Sequence, residues 1–240
     1  IGSTGSPLPP DTFKWLQGQQ EDVQIVSLSG GTDVCSAFLS GSTLLPVFAG
    51  EIQCRTLGSK IEAYNEDGVA VYDEVGELVI ELPMPSMPLY FWKDQNNAKY
   101  LESYFDKYPG VWCHGDWIKI TRNNNGIIMY GRSDATLNRG GVRIGTAEVY
   151  NVLNTFEQVE DSLVICIDLE NGDSVMPLYI KMSPGTELTD ELRTEIKKQL
   201  RNTYSPRHVP DEILAVPDIP YTMSGKKLEI PVKKLMMGVP

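Results

Sequence analysis

The stretch Gly131 to Val149, reading G-R-S-D-A-T-L-N-R-G-G-V-R-I-G-T-A-E-V, constrains this chain more than any other. It sets Arg132, Asp134, Arg139, Arg143 and the pair Gly140-Gly141 between two differently patterned halves. A hydrophobic core needs none of these residue types at such density. The plain alternative is a flexible linker with solvated charges, yet the spacings Arg-x-Asp and Gly-Gly-x-Arg are too regular for one. The stretch therefore reads as a junction that carries chemistry, with the domain boundary inside Gly131–Arg139.

The first 133 residues read as β-rich. Runs at Val23–Leu28, Glu51–Leu57, Gly76–Leu82, Trp117–Thr121 and Ile127–Tyr130 are short, apolar or alternating, and bounded by Gly, Pro, Asn and Asp. Asn123-Asn124-Asn125-Gly126 marks a hairpin between the last two runs. One helix is expected over Asn97–Tyr108, with Tyr100, Leu101, Tyr104 and Phe105 on one face. The second half alternates helix and strand. Thr146 is expected to cap a helix whose face is Val149, Val152, Leu153 and Phe156. Strands follow at Ser162–Leu169 and Val175–Met182. Thr189 caps a second helix, with Asp190 and Glu191 in its first turn and Lys197, Lys198 and Arg201 towards its end. Glu212–Val216 reads as a closing strand. The class is α+β, with residues 134–240 forming a compact α+β domain of their own.

Composition removes several functions. At 240 residues the chain can hold one large domain or two modest ones. A net charge of −11 argues against a nucleic-acid surface or an anionic membrane as partner. The 4 cysteines follow no metal spacing, and only 2 histidines accompany them. They read as free thiols of a reducing cytoplasm. No run approaches the ~20 apolar residues of a membrane span. Ile1-Gly2-Ser3-Thr4-Gly5 has neither the basic start nor the apolar core of a signal peptide, and a Gly/Ser/Pro opening without Met suggests a fragment of a longer protein.

Four polar clusters have the residue types that chemistry needs. Ser29-Gly30-Gly31-Thr32-Asp33 follows a strand run, so backbone N–H groups and the Thr32 hydroxyl can face a phosphate and Asp33 can hold a divalent cation. Trp112-Cys113-His114-Gly115-Asp116-Trp117 places a carboxylate at a strand start, where it can accept from both hydroxyls of a ribose. The junction adds Arg132, Gly140-Gly141 and Arg143, suited to close backbone approach and phosphate recognition. Pro220-Tyr221-Thr222-Met223-Ser224-Gly225-Lys226-Lys227 frames a loop that presents Lys226. No Gly stands five residues before Gly225, so it is not a Walker loop. Taken singly, each cluster is equally a tight turn or a solvated loop.

In order and spacing the clusters resemble the acyl-adenylate-forming enzymes, the family of acyl-CoA synthetases, luciferases and peptide-synthetase adenylation domains. Gly115-Asp116 is similar to the end of the motif Y-x-T-G-D, with His114 where Thr is usual. Gly131–Ile144 is similar to G-R-x-D-x(2)-I-K-x(2)-G-x-R-I, with Asn138 where Lys is commoner. Thr222, Gly225 and Lys226 are in register with P-x-T-x-x-G-K. Thr32-Asp33 occupies the family's T-E step, and Gly5-Ser6-Pro7 its adenine-side G-E-P loop. The resemblance covers essentially the whole chain.

The resemblance implies a reaction in two halves, with ATP, CoA and Mg²⁺. A carboxylate and ATP give an acyl-AMP and pyrophosphate, and CoA thiolate then displaces AMP. Residues 1–133 would be the β-rich tail of the large nucleotide- and acyl-binding domain, and 134–240 the hinge and small mobile domain. Gly5, Ser6, Pro7, Gly31, Thr32, Asp33, Asp116, Arg132 and Arg143 would bind nucleotide, with Thr32 on the α-phosphate, Asp33 placing Mg²⁺, and Asp116 with Arg132 on the ribose. Lys226 would bridge the carboxylate and α-phosphate oxygens. Asp134 would be the hinge, and Gly140, Gly141 and Arg143 would face CoA after rotation. The family's phosphate loop S-G-T-T-G-x-P-K does not occur, so it is expected upstream of Ile1. In acetate-activating relatives a Trp closes the acid pocket where Gly30 stands here, which implies room for a longer acid. The strings S-G-G-T-D, G-x-R-I-G-T-A-E and S-P-R-H-V-P-D-E are similar to the branch that activates acetoacetate, a four-carbon β-keto acid. A medium-chain or propionyl-CoA synthetase, a peptide-synthetase adenylation domain and a non-catalytic nucleotide-binding module are the alternatives.

Overall fold

The computed structural model describes residues 1–133, 135, 137–139, 142–169, 173–223 and 225–238, with the side chains of 138, 142, 143 and 168 left aside. The chain divides into two compact units, Ile1–Ser133 and Asp134–Pro240.

The first unit contains β1 (Gly2–Ser3), α1 (Pro10–Gln19), β2 (Val26–Ser27), β3 (Ser29–Gly31), β4 (Ser36–Ser40), β5 (Cys54–Arg55), β6 (Ile61–Tyr64), β7 (Val75–Ile80), α2 (Ala98–Tyr104), β8 (Trp112–Ile120) and β9 (Ile127–Arg132). Strands β6-β7-β8-β9 form an antiparallel sheet in chain order. Their inward residues meet across the sheet, with Ile61 opposite Ile80 and Ala63 opposite Leu78. Ile118, Ile120, Ile127 and Trp112 extend this buried face. The separate sheet β3-β4-β5 sends Phe38, and the turn between β3 and β4 sends Val34, into the same core. Facing apolar pairs of this kind hold an antiparallel sheet together.

Some sequence expectations are met and others corrected. The hairpin at Asn123–Gly126 forms: Asn125 takes φ 55°, and its N–H donates to the Thr121 carbonyl at 2.9 Å. The run Val23–Leu28 yields only Val26–Ser27, and Glu51–Leu57 only Cys54–Arg55. The helix expected over 97–108 stops at Tyr104, and Leu101 faces solvent at 51% exposure. Tyr108 precedes Pro109, a step that disfavours the helical region. Strand β8 begins at Trp112, so Asp116 sits within a strand and not at its start.

The second unit contains β10 (Leu137–Arg139), β11 (Val142–Ile144), α3 (Thr146–Leu153), β12 (Val159–Val164), β13 (Ile167–Asp168), β14 (Ser174–Val175), β15 (Pro177–Met182), α4 (Asp190–Thr203), β16 (Glu212–Ala215) and α5 (Glu229–Met236). Its sheet runs β12-β15-β16, antiparallel then parallel, with α4 as the crossover between the parallel strands. Period-two alternation sorts the sheet's faces. Val164, Leu178 and Ile180 pack with Val149, Val152, Leu153, Ile196 and Leu200 of α3 and α4. Leu163 and Tyr179 turn the other way, toward Ile219 and Val232. Thr189 caps α4, its hydroxyl accepting from Leu192 N–H at 3.2 Å. Thr146 does not cap α3: it is buried inside the first turn, and Gly145 is the cap residue. Glu148 Oε1 accepts the Gly145 N–H at 2.9 Å instead, half of a capping box. The chain's four cysteines are all free thiols. Among the described residues no helix is long and apolar enough to cross a membrane.

Candidate functional site

In the first unit, β1 and β2 are parallel neighbours, with Gly2 beside Val26 and Ser3 beside Ser27. The segments that follow them, Gly5-Ser6-Pro7 and Ser29–Asp33, therefore leave from the same end of the pair. The carboxyl ends of parallel strands are where open α/β folds gather ligands. Gly5 stands open there, at φ +93° with no atom within 4 Å of an added Cβ. Thr32 and Asp33 occupy the exposed turn between β3 and β4, closed by the Cys35 N–H donating to the Thr32 carbonyl at 3.1 Å.

Asp116 and Arg132 are brought together by register, as direct partners across β8 and β9. Arg132 Nη1 lies 3.6 Å from Asp116 Oδ1. It also donates to the His114 carbonyl at 3.3 Å. The Asp116 side chain is 12% exposed and that of Arg132 41% exposed, so the pair opens to solvent on the arginine side. Gly115 makes this approach possible. Its φ is +84°, and a Cβ there would stand 2.9 Å from the Arg132 guanidinium.

His114, which replaces the usual Thr, is the connector. Its Nε2 is 3.7 Å from Asp116 Oδ2. Its Nδ1 accepts from Trp112 Nε1 at 3.2 Å. Its ring packs edge-on to Phe38 at 4.6 Å and fills the space beside Gly31, where a Cβ would meet His114 Cε1 at 2.8 Å. Tyr104, read from the sequence only as part of a helix face, joins the set. It stacks on Trp112 with centroids 3.6 Å apart, and its hydroxyl donates to Asp33 Oδ2. Burial and the Asp33 carboxylate push the Tyr104 phenol well above its ordinary pKa, so it stays a neutral donor. Trp112 thus links the Asp33–Tyr104 pair to His114, Asp116 and Arg132 in one connected cluster. The sequence shows Tyr104 only as one of the face residues of its helix, beside Tyr100, and no local pattern separates the two: both pack against the core, and the contact with Asp33 spans 71 residues.

Gly30 has a physical reason different from the one its motif position implied. A Cβ there would lie 2.4 Å from the Ser36 carbonyl oxygen and 2.8 Å from the Ala37 Cα. The missing side chain faces the β4 backbone across a register shift, not an open volume.

Asp33 offers one exposed carboxylate, and among the described residues no group of three or more His, Cys, Asp or Glu could hold a metal alone. A single carboxylate fits Mg²⁺ that arrives with phosphate oxygens and waters, because that ion rarely takes an all-protein cage.

In the second unit Lys226 is exposed on the Pro220–Lys227 loop. Among the described residues, hydrogen bonds that shape the loop include Thr222 N–H to the Lys226 carbonyl at 2.8 Å, Gly225 N–H to the Thr222 carbonyl at 3.0 Å, and Lys226 N–H to Thr222 Oγ1 at 3.0 Å. Among the described residues no carboxylate lies within ion-pair distance of Lys226. Arg143 sits in β11, opposite Asn138 in β10. The strands carrying them were not anticipated. Arg139 in β10 pairs with Asp211 at 2.5 Å and donates to the Val209 carbonyl. Asp134, Gly140 and Gly141, the expected hinge and CoA-facing residues, lie outside the described residues.

No protein-family model matches the chain. Across 239 residues, 99% of its length, the chain is 47% identical to an acetoacetyl-CoA synthetase of Xenopus tropicalis. It is 48% identical to the acetoacetyl-coenzyme A synthetase of Rhizobium meliloti (strain 1021), again over 99% of its length. It spans 36% of each relative. Among solved structures, the acetoacetyl-CoA synthetase from Streptomyces lividans matches the whole chain at TM-score 0.91 and 46% identity, over 36% of its own length. An anthranilate CoA ligase in complex with anthranoyl-AMP matches 99% of the chain and 45% of its own length at TM-score 0.82, and at 19% identity shares the fold alone.

Proposed function

We propose that the chain is a member of the acyl-adenylate-forming enzymes and serves as part of an AMP-forming acetoacetate–CoA ligase. The observation that carries the proposal is the cluster built by β8 and β9, where Asp116 and Arg132 are cross-strand partners beside the exposed Thr32-Asp33 turn. A carboxylate held by a guanidinium accepts from both hydroxyls of a ribose, while the arginine donates outward. Thr32 and the turn's backbone then face the α-phosphate and Gly5-Ser6-Pro7 borders the adenine, while Asp33 would hold Mg²⁺, which would neutralise phosphate charge. Lys226 supplies a mobile positive charge to the carboxylate and α-phosphate oxygens as the acyl-phosphate bond forms. CoA thiolate then attacks the acyl-AMP and releases AMP. Asp134 is the pivot between the half-reactions, and Gly140, Gly141 and Arg143 serve the CoA side.

Identity near 47% over the chain supports acetoacetate as the acid. Gly30 does not support it by itself, since its Cβ direction is closed by β4. The test is Lys226→Ala in a full-length protein containing this chain. ATP–pyrophosphate exchange with acetoacetate should fall to background, and thioester formation from preformed acetoacetyl-AMP should persist. Equal loss of both half-reactions would remove Lys226 from this role. Butyrate outperforming acetoacetate in kcat/KM would overturn the choice of acid.

A further inference from the structure

The two adjacent lysines of the loop have opposite surroundings. Lys226 is exposed, whereas the Lys227 side chain is 20% exposed and tied down. Its Nζ lies 2.7 Å from Asp161 Oδ1, donates to the Ser162 carbonyl, and sits 3.9 Å from the centroid of the Tyr150 ring. At the other end of the loop, the Tyr221 hydroxyl donates to the second oxygen of the same carboxylate, Asp161 Oδ2, at 2.5 Å. Tyr221 and Lys227 are themselves an antiparallel bridge pair. One carboxylate on β12 therefore holds both ends of the loop. Its surroundings are fixed in turn. Ser162 N–H donates to Asp161 Oδ1 at 2.7 Å, the Tyr150 hydroxyl donates to Glu229 Oε1 at 2.6 Å, and Val164 N–H donates to the Tyr150 hydroxyl at 3.2 Å.

We infer that Asp161 is a positioning residue for Lys226, clamping the Pro220–Lys227 loop through Tyr221 and Lys227. This rests on the reading of Lys226 as the group that meets the substrate. A four-carbon ammonium stem is flexible, so its reach is set by where the loop backbone stands. Lys226 can approach phosphate oxygens only if its neighbour stays docked, and the carboxylate that docks Lys227 also fixes Tyr221. The Asp161 and Lys227 side chains are 22% and 20% exposed, so removing one charge leaves the other poorly solvated and releases the loop.

The experiment compares Asp161→Asn, Tyr221→Phe and Lys226→Ala in the full-length protein. Asp161→Asn should lower kcat of ATP–pyrophosphate exchange about 10²-fold, the scale of a misplaced catalytic group, and leave the KM for ATP within about twofold. Thioester formation from preformed acyl-AMP should be unchanged. Amide hydrogen exchange at Thr222, Gly225 and Lys226 should quicken, while Val164 and Ile180 in the sheet keep their protection. Tyr221→Phe deletes one hydroxyl and should give the same pattern at roughly a tenth of the effect, since one neutral hydrogen bond is weaker than a charged one. It stands in if Asp161→Asn fails to fold. Asp161→Glu, which keeps the charge, should recover part of the loss. Unaltered loop exchange and unaltered kcat in Asp161→Asn or Tyr221→Phe would overturn the clamp. Full exchange activity in Lys226→Ala would instead overturn the role of Lys226, and the amide protection would still decide the clamp.

Discussion

At the scale of single residues, the absent side chains are as informative as the present ones. Gly115→Ala places a methyl 2.9 Å from the Arg132 guanidinium on a backbone at φ +84°. A rotation of Arg132 relieves the contact but moves the guanidinium off Asp116, so nucleotide affinity in the full-length protein should fall about tenfold, read by calorimetry with ATP. Gly30→Ala separates two accounts of one glycine. The pocket account predicts an intact fold with altered acid preference. The contact at 2.4 Å from the Ser36 carbonyl predicts a loss of roughly 1–3 kcal/mol in stability, read as a lower denaturation midpoint. Asp161 supplies a pH test. Burial raises its pKa, but hydrogen bonds from Lys227 and Tyr221 and the lysine's charge outweigh that and hold it below the usual carboxylate range. A depressed folded pKa contributes stability that is present above about pH 4, the unfolded value, and is lost as pH falls through the folded one. Urea midpoints between about pH 5 and pH 2 should therefore decline less steeply for Asp161→Asn than for the parent chain.

At the scale of elements, strong periodicity and good caps survived into the structure, and weak signals did not. Helix α4 is the clearest case. Thr189, the acidic first turn and the stripe of Ile196 and Leu200 all point to the same start and the same buried face. Thr189→Ala should cost about 1 kcal/mol and Leu200→Ala about 2–5 kcal/mol, both visible in the thermal unfolding of the second unit. Strands β7 and β9 and the second half of β8 were legible because their apolar residues alternate or run unbroken; the first half of β8, with Cys113, His114, Gly115 and Asp116 between its tryptophans, was not. Helix α1 was not, since Phe13 is its one buried residue and Pro10 opens it without a polar cap. Helix α5 carries Pro231 in its first turn, where a missing N–H is tolerated but a sequence reader sees a breaker. The short strands β3 and β10 hold glycine or polar residues at most positions, and β11 is only three residues long, so only their partners make them strands.

At the scale of the molecule, the chain spans about a third of the relatives it matches. We expect the chain on its own to show no ATP–pyrophosphate exchange; detectable exchange by the purified chain would place the complete adenylation machinery within these residues. Ser133 ends the first unit firmly. Its N–H donates to the Gly115 carbonyl at 2.9 Å, and its hydroxyl donates to Glu77 at 2.8 Å. Glu77 is 2% exposed and paired with Lys107 at 2.9 Å, so the end of the first unit is held in place. Asp134→Pro should slow thioester formation while sparing adenylation, since proline fixes φ at the proposed hinge. The sequence by itself determined the class of fold, the alternation of the two halves and the residue types of the site, because periodicity, caps and motif spacing are local properties. Only the tertiary structure decided that Tyr104, Trp112 and His114 tie Asp33 to Asp116 and Arg132, that Gly30 faces backbone, and that Asp161 reaches both ends of the lysine loop. Those pairings join residues as far apart as Asp33 and Tyr104, or Asp161 and Tyr221. Strand register and helix docking set such distances, and no local pattern encodes them.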